Sequence, residues 1–156
     1  MSAEDTRTVL TRFYDALARR DGEAMAALYA PDAHFEDPVF RLAGADIGRM
    51  WIGLTRRAKK FDASYTIVEE GPASGRVEWT ARYLFGGRRP VVNVIHSELF
   101  LEHGRIVRQR DRFDFALWAA QAMGWPGRLF GRFEWFRRAV SRRAMRGLGL
   151  ASRGPV

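Results

Sequence analysis

Four strand-length segments follow one another in this chain, each cut from the next by a glycine turn. They are Asp62–Glu69, Arg76–Phe85, Val91–Glu102 and Arg105–Phe115. Gly71-Pro72, Gly86-Gly87 and His103-Gly104 separate them, which predicts antiparallel neighbours joined by short turns. The second segment alternates: Val77, Trp79, Ala81, Tyr83 and Phe85 fall on one face, and Arg76, Glu78, Thr80 and Arg82 on the other. A sheet with one covered face and one wet face follows from that pattern.

Helical periodicity fills the region ahead of the sheet. Val9, Phe13, Ala16 and Leu17 recur at helical spacing, predicting a helix over 4–19 that Asp21-Gly22 ends. Glu23 to Tyr29 reads as a second, shorter helix, stopped by Ala30-Pro31-Asp32, and a short strand follows over Ala33–Asp37. A third helix is predicted from Ala45 to Lys60, with Ile47, Met50, Trp51 and Leu54 on one side. Helices first and strands after argue an α+β fold, with helices packed on one face of an antiparallel sheet. At 156 residues and 47% hydrophobic content the chain is long enough for one domain with its own core.

Several classes of chemistry are excluded early. The chain has no cysteine, so disulfides and thiolate metal sites are out. No His-x₃-His spacing, Walker loop, Gly-x-Gly-x-x-Gly or Gly-x-Ser-x-Gly occurs, so no metal and no cofactor is expected. No apolar run nears the roughly 18–20 residues that span a bilayer, and Met1-Ser2-Ala3-Glu4-Asp5 is no leader pattern, so the expectation is cytoplasmic.

The formal net charge of +8 is uneven. Residues 124–156 hold eight arginines against the single acid Glu134, which leaves the rest of the chain nearly neutral. A basic body is missing, so nucleic acid is not an expected partner. The expected division is a domain over 1–123 and a basic extension over 124–156. Leu129, Phe133, Phe136 and Val140 form an apolar stripe beside rows of arginine, predicting one basic amphipathic helix. Such a helix suits an anionic membrane surface through residues 128–146, at the inner membrane face. It equally suits a lid, a dimer cover, or plain packing with a solvated basic side.

Three stretches, in order, resemble the ketosteroid isomerase / nuclear transport factor 2 fold, and within it the SnoaL-like group. They are Leu28-Tyr29-Ala30-Pro31-Asp32-Ala33-His34-Phe35-Glu36-Asp37-Pro38, then Val94-Ile95-His96 running to His103-Gly104-Arg105-Ile106, then Arg110-Asp111-Arg112-Phe113-Asp114. The resemblance covers roughly residues 7–118. It implies a cone-shaped curved antiparallel sheet whose N-terminal helices close a deep pocket, and a homodimer. It also implies that Asp37 falls at the isomerase's general base and His96 at its protonated oxyanion-hole Asp. Phe13 falls at the oxyanion-hole Tyr, so that hydroxyl is missing, and Tyr14 is about 100° further round the helix. Asp111 matches the catalytic Asp of the SnoaL-like polyketide cyclases. The limonene epoxide hydrolase branch shares that signature but needs an Arg-x-Asp pair, for which Arg76-Val77-Glu78 is the candidate; alternation turns Arg76 and Glu78 outward.

The residues support acid–base chemistry in their own right. Asp37 sits among Phe35, Val39 and Phe40, and a carboxyl group against apolar neighbours has a raised pKa and becomes a better base. As a plain structural residue it would start a turn before Pro38. His96 shares parity with Val92, Val94 and Glu98, which is taken as the pocket side; there it would stabilise an oxyanion or act as an acid. Asp111 shares parity with Gln109 and Phe113, and His96 on the neighbouring strand is its expected partner. The expected pocket lining is Phe13, Tyr14, Phe35, Met50, Trp51, Leu54, Trp79, Tyr83, Val94, Glu98, Gln109 and Phe113, suited to a small hydrophobic ligand. The leading expectation is a cofactor-free isomerase or cyclase acting on a carbonyl or polyketide-like compound. The competing one is a non-catalytic binding or dimerisation domain with a membrane-surface tail.

Overall fold

Ser2 caps the first helix, accepting the Asp5 amide on its hydroxyl at 3.2 Å. The computed structural model describes residues 2–150. Its elements run α1 (Ala3–Ala18), α2 (Gly22–Ala26), β1 (Tyr29–Glu36), β2 (Arg41–Ala43), α3 (Ala45–Arg57), β3 (Lys59–Glu70), β4 (Ser74–Phe85), β5 (Arg89–Glu102), β6 (Arg105–Arg112), α4 (Phe115–Met123), α5 (Trp125–Phe130) and α6 (Glu134–Gly147). Six strands form one sheet in the order β2-β1-β6-β5-β4-β3, which curves without closing. The four strand segments read from the sequence are β3 to β6, all antiparallel neighbours. His103 and Gly104 join β5 to β6, both with positive φ, the backbone that a two-residue hairpin turn demands.

The departures have local causes. The second helix stops at Ala26, and Tyr29 already belongs to β1, with Pro31 inside a register shift between Tyr29 and His34. β1 lies parallel to β6, so the sheet is not wholly antiparallel. β6 ends at Arg112 rather than running to Phe115, because Asp114 caps α4 by accepting the Leu117 amide at 3.0 Å. The expected single basic helix is two helices, α5 and α6, divided after Gly131. Its stripe is divided as well: Val140 is buried, whereas Leu129 and Phe133 are exposed. No helix among the described residues is long and apolar enough to cross a membrane.

Helices α1 and α3 cover the concave face of the sheet. Phe13 meets Tyr14, Tyr29 and Trp51 edge to face at centroid distances of 4.9, 5.7 and 5.8 Å, and Phe35 meets Trp51 at 5.8 Å. These are ordinary packing distances for rings. The interior that the fold offers as a deep pocket is therefore filled by side chains, which corrects the expected apolar cavity lined by Phe13, Phe35, Met50, Trp51 and Trp79.

A chain of polar groups crosses this core. The Trp51 indole N–H donates to the Tyr29 hydroxyl at 2.9 Å, and that hydroxyl donates to Gln109 Oε1. Gln109 Nε2 then donates to Asp111 Oδ1 at 3.0 Å. On the other side the Trp79 indole N–H donates to Ser97 Oγ at 2.8 Å. Replacing Tyr29 by Phe strands both Trp51 and Gln109, and an unsatisfied buried group costs about 1–3 kcal/mol. Urea unfolding of Tyr29→Phe should show a loss in that range; an unchanged midpoint would mean that the chain contributes nothing to stability.

Candidate active site

Asp37 lies where β1 turns into β2, and the sequence makes it do two things at once. Its Oδ1 accepts the amides of Val39 and Phe40 at 2.7 and 2.6 Å, while its own amide donates to the Phe40 carbonyl at 2.9 Å. This is the turn-starting role expected of Asp-Pro. It occupies one carboxyl oxygen; Oδ2 makes no hydrogen bond among the described residues. Asp111 comes from the inner face of β6 and is only 4% exposed. Both carboxyl groups open on one cleft of about 860 Å³, bounded by the Asp37–Arg41 turn, the end of β6 with Phe113, and α6.

Burial lifts both acids. Asp37 is pushed from the usual 3.8 up to about 7, first by loss of solvent, with the negative charge of Asp111 adding to the rise. The two turn amides and the Arg137 guanidinium pull it back only in part. Asp111 is pushed up to about 6 by burial, against hydrogen bonds from Ser97 and Gln109. Two carboxyl groups on one cleft, one at about 7 and one at about 6, both change protonation close to neutral pH.

Tyr14 stands beside Asp111, behind the cleft wall. It is 1% exposed, and the Ser97 hydroxyl is its polar neighbour. Burial and then the Asp111 charge raise its pKa well above the ordinary phenol value. Tyr14, expected about 100° round the helix from Phe13 and in the lining, is inside together with Phe13. The reason is that α1 buries a broad face, with Leu10, Phe13, Tyr14 and Leu17 all inside. Tyr83, half-buried, accepts the Trp118 indole N–H at 2.8 Å and feels the charge of Asp37.

Helix α6 supplies the far wall. Arg137 Nη1 donates to the Pro38 carbonyl at 2.6 Å, and Ser141 Oγ donates to the Val39 carbonyl. Both acceptors belong to the turn that Asp37 organises. These contacts join residues 99 and 102 positions apart, so no local pattern announces them.

His96 is not in this cleft. Its side chain is 63% exposed and lies 3.8 Å from Glu78 on the outer face. Val94 is 44% exposed on that same face, and Glu98 faces Arg76 and Arg110. The expected parity of β5 is therefore inverted. Register explains why: Trp79 pairs with Ile95 and Glu78 with His96, so Ile95 takes the inner side. Asp111 consequently pairs with Ser97, and His96 with Arg112. Leu54, expected in the lining, is exposed at the edge of α3. Arg76 and Glu78 face outward as expected, with Arg76 bound to Glu69.

Comparison with known proteins agrees with this geometry at the level of fold. The SnoaL-like domain model matches residues 10–109. A steroid Δ-isomerase from Nocardioides simplex is 51% identical over 49 residues, 31% of this chain and 36% of the isomerase, so the match spans about a third of that relative's length. A structure described as a candidate polyketide cyclase from Silicibacter sp. superposes with a TM-score of 0.67 at 16% identity, over 78% of this chain and 97% of the other. An LEH-like epoxide hydrolase from M. tuberculosis superposes at 0.60 with 21% identity, over 82% and 92%. At such identities the structural likeness shows the fold alone.

Raised carboxyl pKa values set the sign of a pH effect. Between roughly pH 4 and 7 the folded state binds more protons than the unfolded state, where aspartate titrates near 3.9. The contribution of these two groups to stability is present at the acid end and is lost as pH rises through about 7. Thermal melts across that range should show a smaller decline for Asp111→Asn than for the parent chain. Parallel profiles would refute the raised values.

Proposed function

The chain belongs to the SnoaL-like domain family, and on that premise we propose that it catalyses cofactor-independent proton transfer on a carbonyl compound, as an isomerase or cyclase. One observation carries the reading: Asp37 and Asp111 line one cleft, and burial raises both so that each changes protonation near neutral pH. General acid–base catalysis needs one charged and one protonated partner, and two carboxyl groups with staggered values supply both.

Asp111, with the lower value, is the base. It takes a proton from the carbon next to the carbonyl; the electron pair of that C–H bond forms a carbon–carbon double bond, and the carbonyl π pair moves onto oxygen, giving an enolate. Asp37, with the higher value, is the acid and returns a proton to the compound at a different atom. Tyr14 is not among the residues that line the cleft; its buried phenol neighbours Asp111 and the Ser97 hydroxyl from the interior side. His96 has no part in this scheme, because it lies on the outer face. Arg76 and Glu78 lie there too, so the epoxide hydrolase reading lacks its second pair in the cleft.

Exchange of α-protons for deuterium in 2-tetralone, followed by proton NMR in heavy water, tests the scheme. Asp111→Asn and Asp37→Asn should each slow exchange about 10²–10⁴-fold, the usual contribution of a positioned acid or base. Exchange no faster than buffer for the parent chain, or unaffected by both Asn substitutions, would remove the acid–base reading.

A further inference from the structure

We infer that the compound bound in this cleft carries an anionic oxygen group, a carboxylate or a phosphate, held by Arg112 and Arg142 while its carbonyl end lies at Asp37 and Asp111. The inference rests on the acid–base reading above and adds the substrate class to it.

Six arginines and three carboxyl groups line the cleft. Four of the six are engaged. Arg41 and Arg110 pair with Glu36 at 3.3 and 2.8 Å. Arg137 and Arg138 both pair with Glu134, and Arg137 is further tied to the Pro38 carbonyl. Arg112 and Arg142 make no ion pair or hydrogen bond among the described residues. They reach the cleft from separate elements. Arg112 closes β6, one position past Asp111, and Arg142 stands on α6, one position past the Ser141 hydroxyl that ties this helix to the Asp37 turn.

A solvated arginine elsewhere on the surface needs no ligand. These two differ because both border the cleft that the carboxyl groups line, Arg112 from the outer side at the end of β6 and Arg142 from α6, which is bound to the Asp37 turn by its own side chains. The apolar part of the lining is small, comprising Pro38, Val39, Phe40 and Phe113. A wholly apolar ligand would leave the guanidinium groups facing it without compensation. An oxyanion meets them with paired N–H···O bonds, the geometry that a planar guanidinium presents to carboxylate or phosphate. The six arginines outnumber the three carboxyl groups of the lining, so an anion entering the cleft meets an excess of positive charge and is drawn in.

Three probes of one shape test this with the full chain: 4-acetylbenzoate, 4-acetylphenyl phosphate and methyl 4-acetylbenzoate, each titrated by calorimetry at low and high salt. Both anions should bind at least about tenfold more tightly than the ester, and their affinity should fall with salt. Arg112→Ala and Arg142→Ala should each weaken anion binding about tenfold while leaving the ester unchanged. The tighter anion identifies which oxyacid the site prefers. Both side chains are exposed and unpaired, so thermal melts of the variants should match the parent and exclude misfolding. An ester that binds as well as the anions, anion binding indifferent to both substitutions, or no binding of any probe would overturn the inference. Exchange on the ester that depends on Asp111, without arginine-dependent anion binding, would leave the acid–base reading standing and remove the anion. Arginine-dependent anion binding without exchange would do the reverse.

Discussion

Burial of the Asp111 carboxyl group on the concave face of the sheet is the constraint on which the site depends. An ionised carboxylate moved out of water without a cation loses several kcal/mol of solvation. Other acids in this protein avoid that loss. Asp46 is paired with Arg49 at 2.6 Å and Glu36 with Arg110 at 2.8 Å. Asp111 has only neutral neighbours, Gln109 and Ser97, which offer about 1 kcal/mol each and cannot balance the penalty. Its pKa rises instead, and the group becomes one that gains and loses a proton near neutral pH. The chain of bonds from Trp51 through Tyr29 to Gln109 serves the same end, because it holds the Gln109 amide in the orientation that faces Asp111.

Asp37 reaches a similar state by another route. Its turn would hold it as a stable carboxylate if the two amides on Oδ1 acted alone. The surrounding protein and the charge of Asp111 outweigh them. Helix α6 is part of that surrounding protein. Phe136, Val140 and Met145 anchor it in the core, and its polar side clasps the carbonyls of Pro38 and Val39. The basic C-terminal segment therefore forms a wall of the site, and its arginines change what the cleft can hold. The SnoaL-like match ends at residue 109, so this wall lies beyond the segment that matches.

How much was legible in the sequence depended on whether the signal was local. The hairpin turns, the inward face of β4 and the helical stripe of α1 are periodic patterns, and they appear as read. Asp37 and Asp111 were visible as carboxyl groups in apolar or alternating surroundings, and the structure puts both on one cleft. His96 was misplaced because β5 is apolar at both parities: Val92 and Val94 compete with Val91, Ile95 and Leu99. The inward face of β4, carried across the register, would have settled it in favour of Ile95. Tyr29 was hidden in an expected helix. The clasp by Arg137 and Ser141 left no trace in sequence, since a contact across about a hundred residues has no period.

The central claim is that two buried carboxyl groups on one cleft titrate near neutral pH, with Asp111 raising Asp37. Carbon-13 NMR of the Asp37 and Asp111 carboxyl resonances across the acid-to-neutral range measures it directly, on the parent chain and on Asp111→Asn. The account predicts midpoints near 7 for Asp37 and 6 for Asp111, with the Asp37 midpoint falling when the neighbouring charge is removed. Two midpoints near the ordinary aspartate value of about 3.9, indifferent to the substitution, would contradict it.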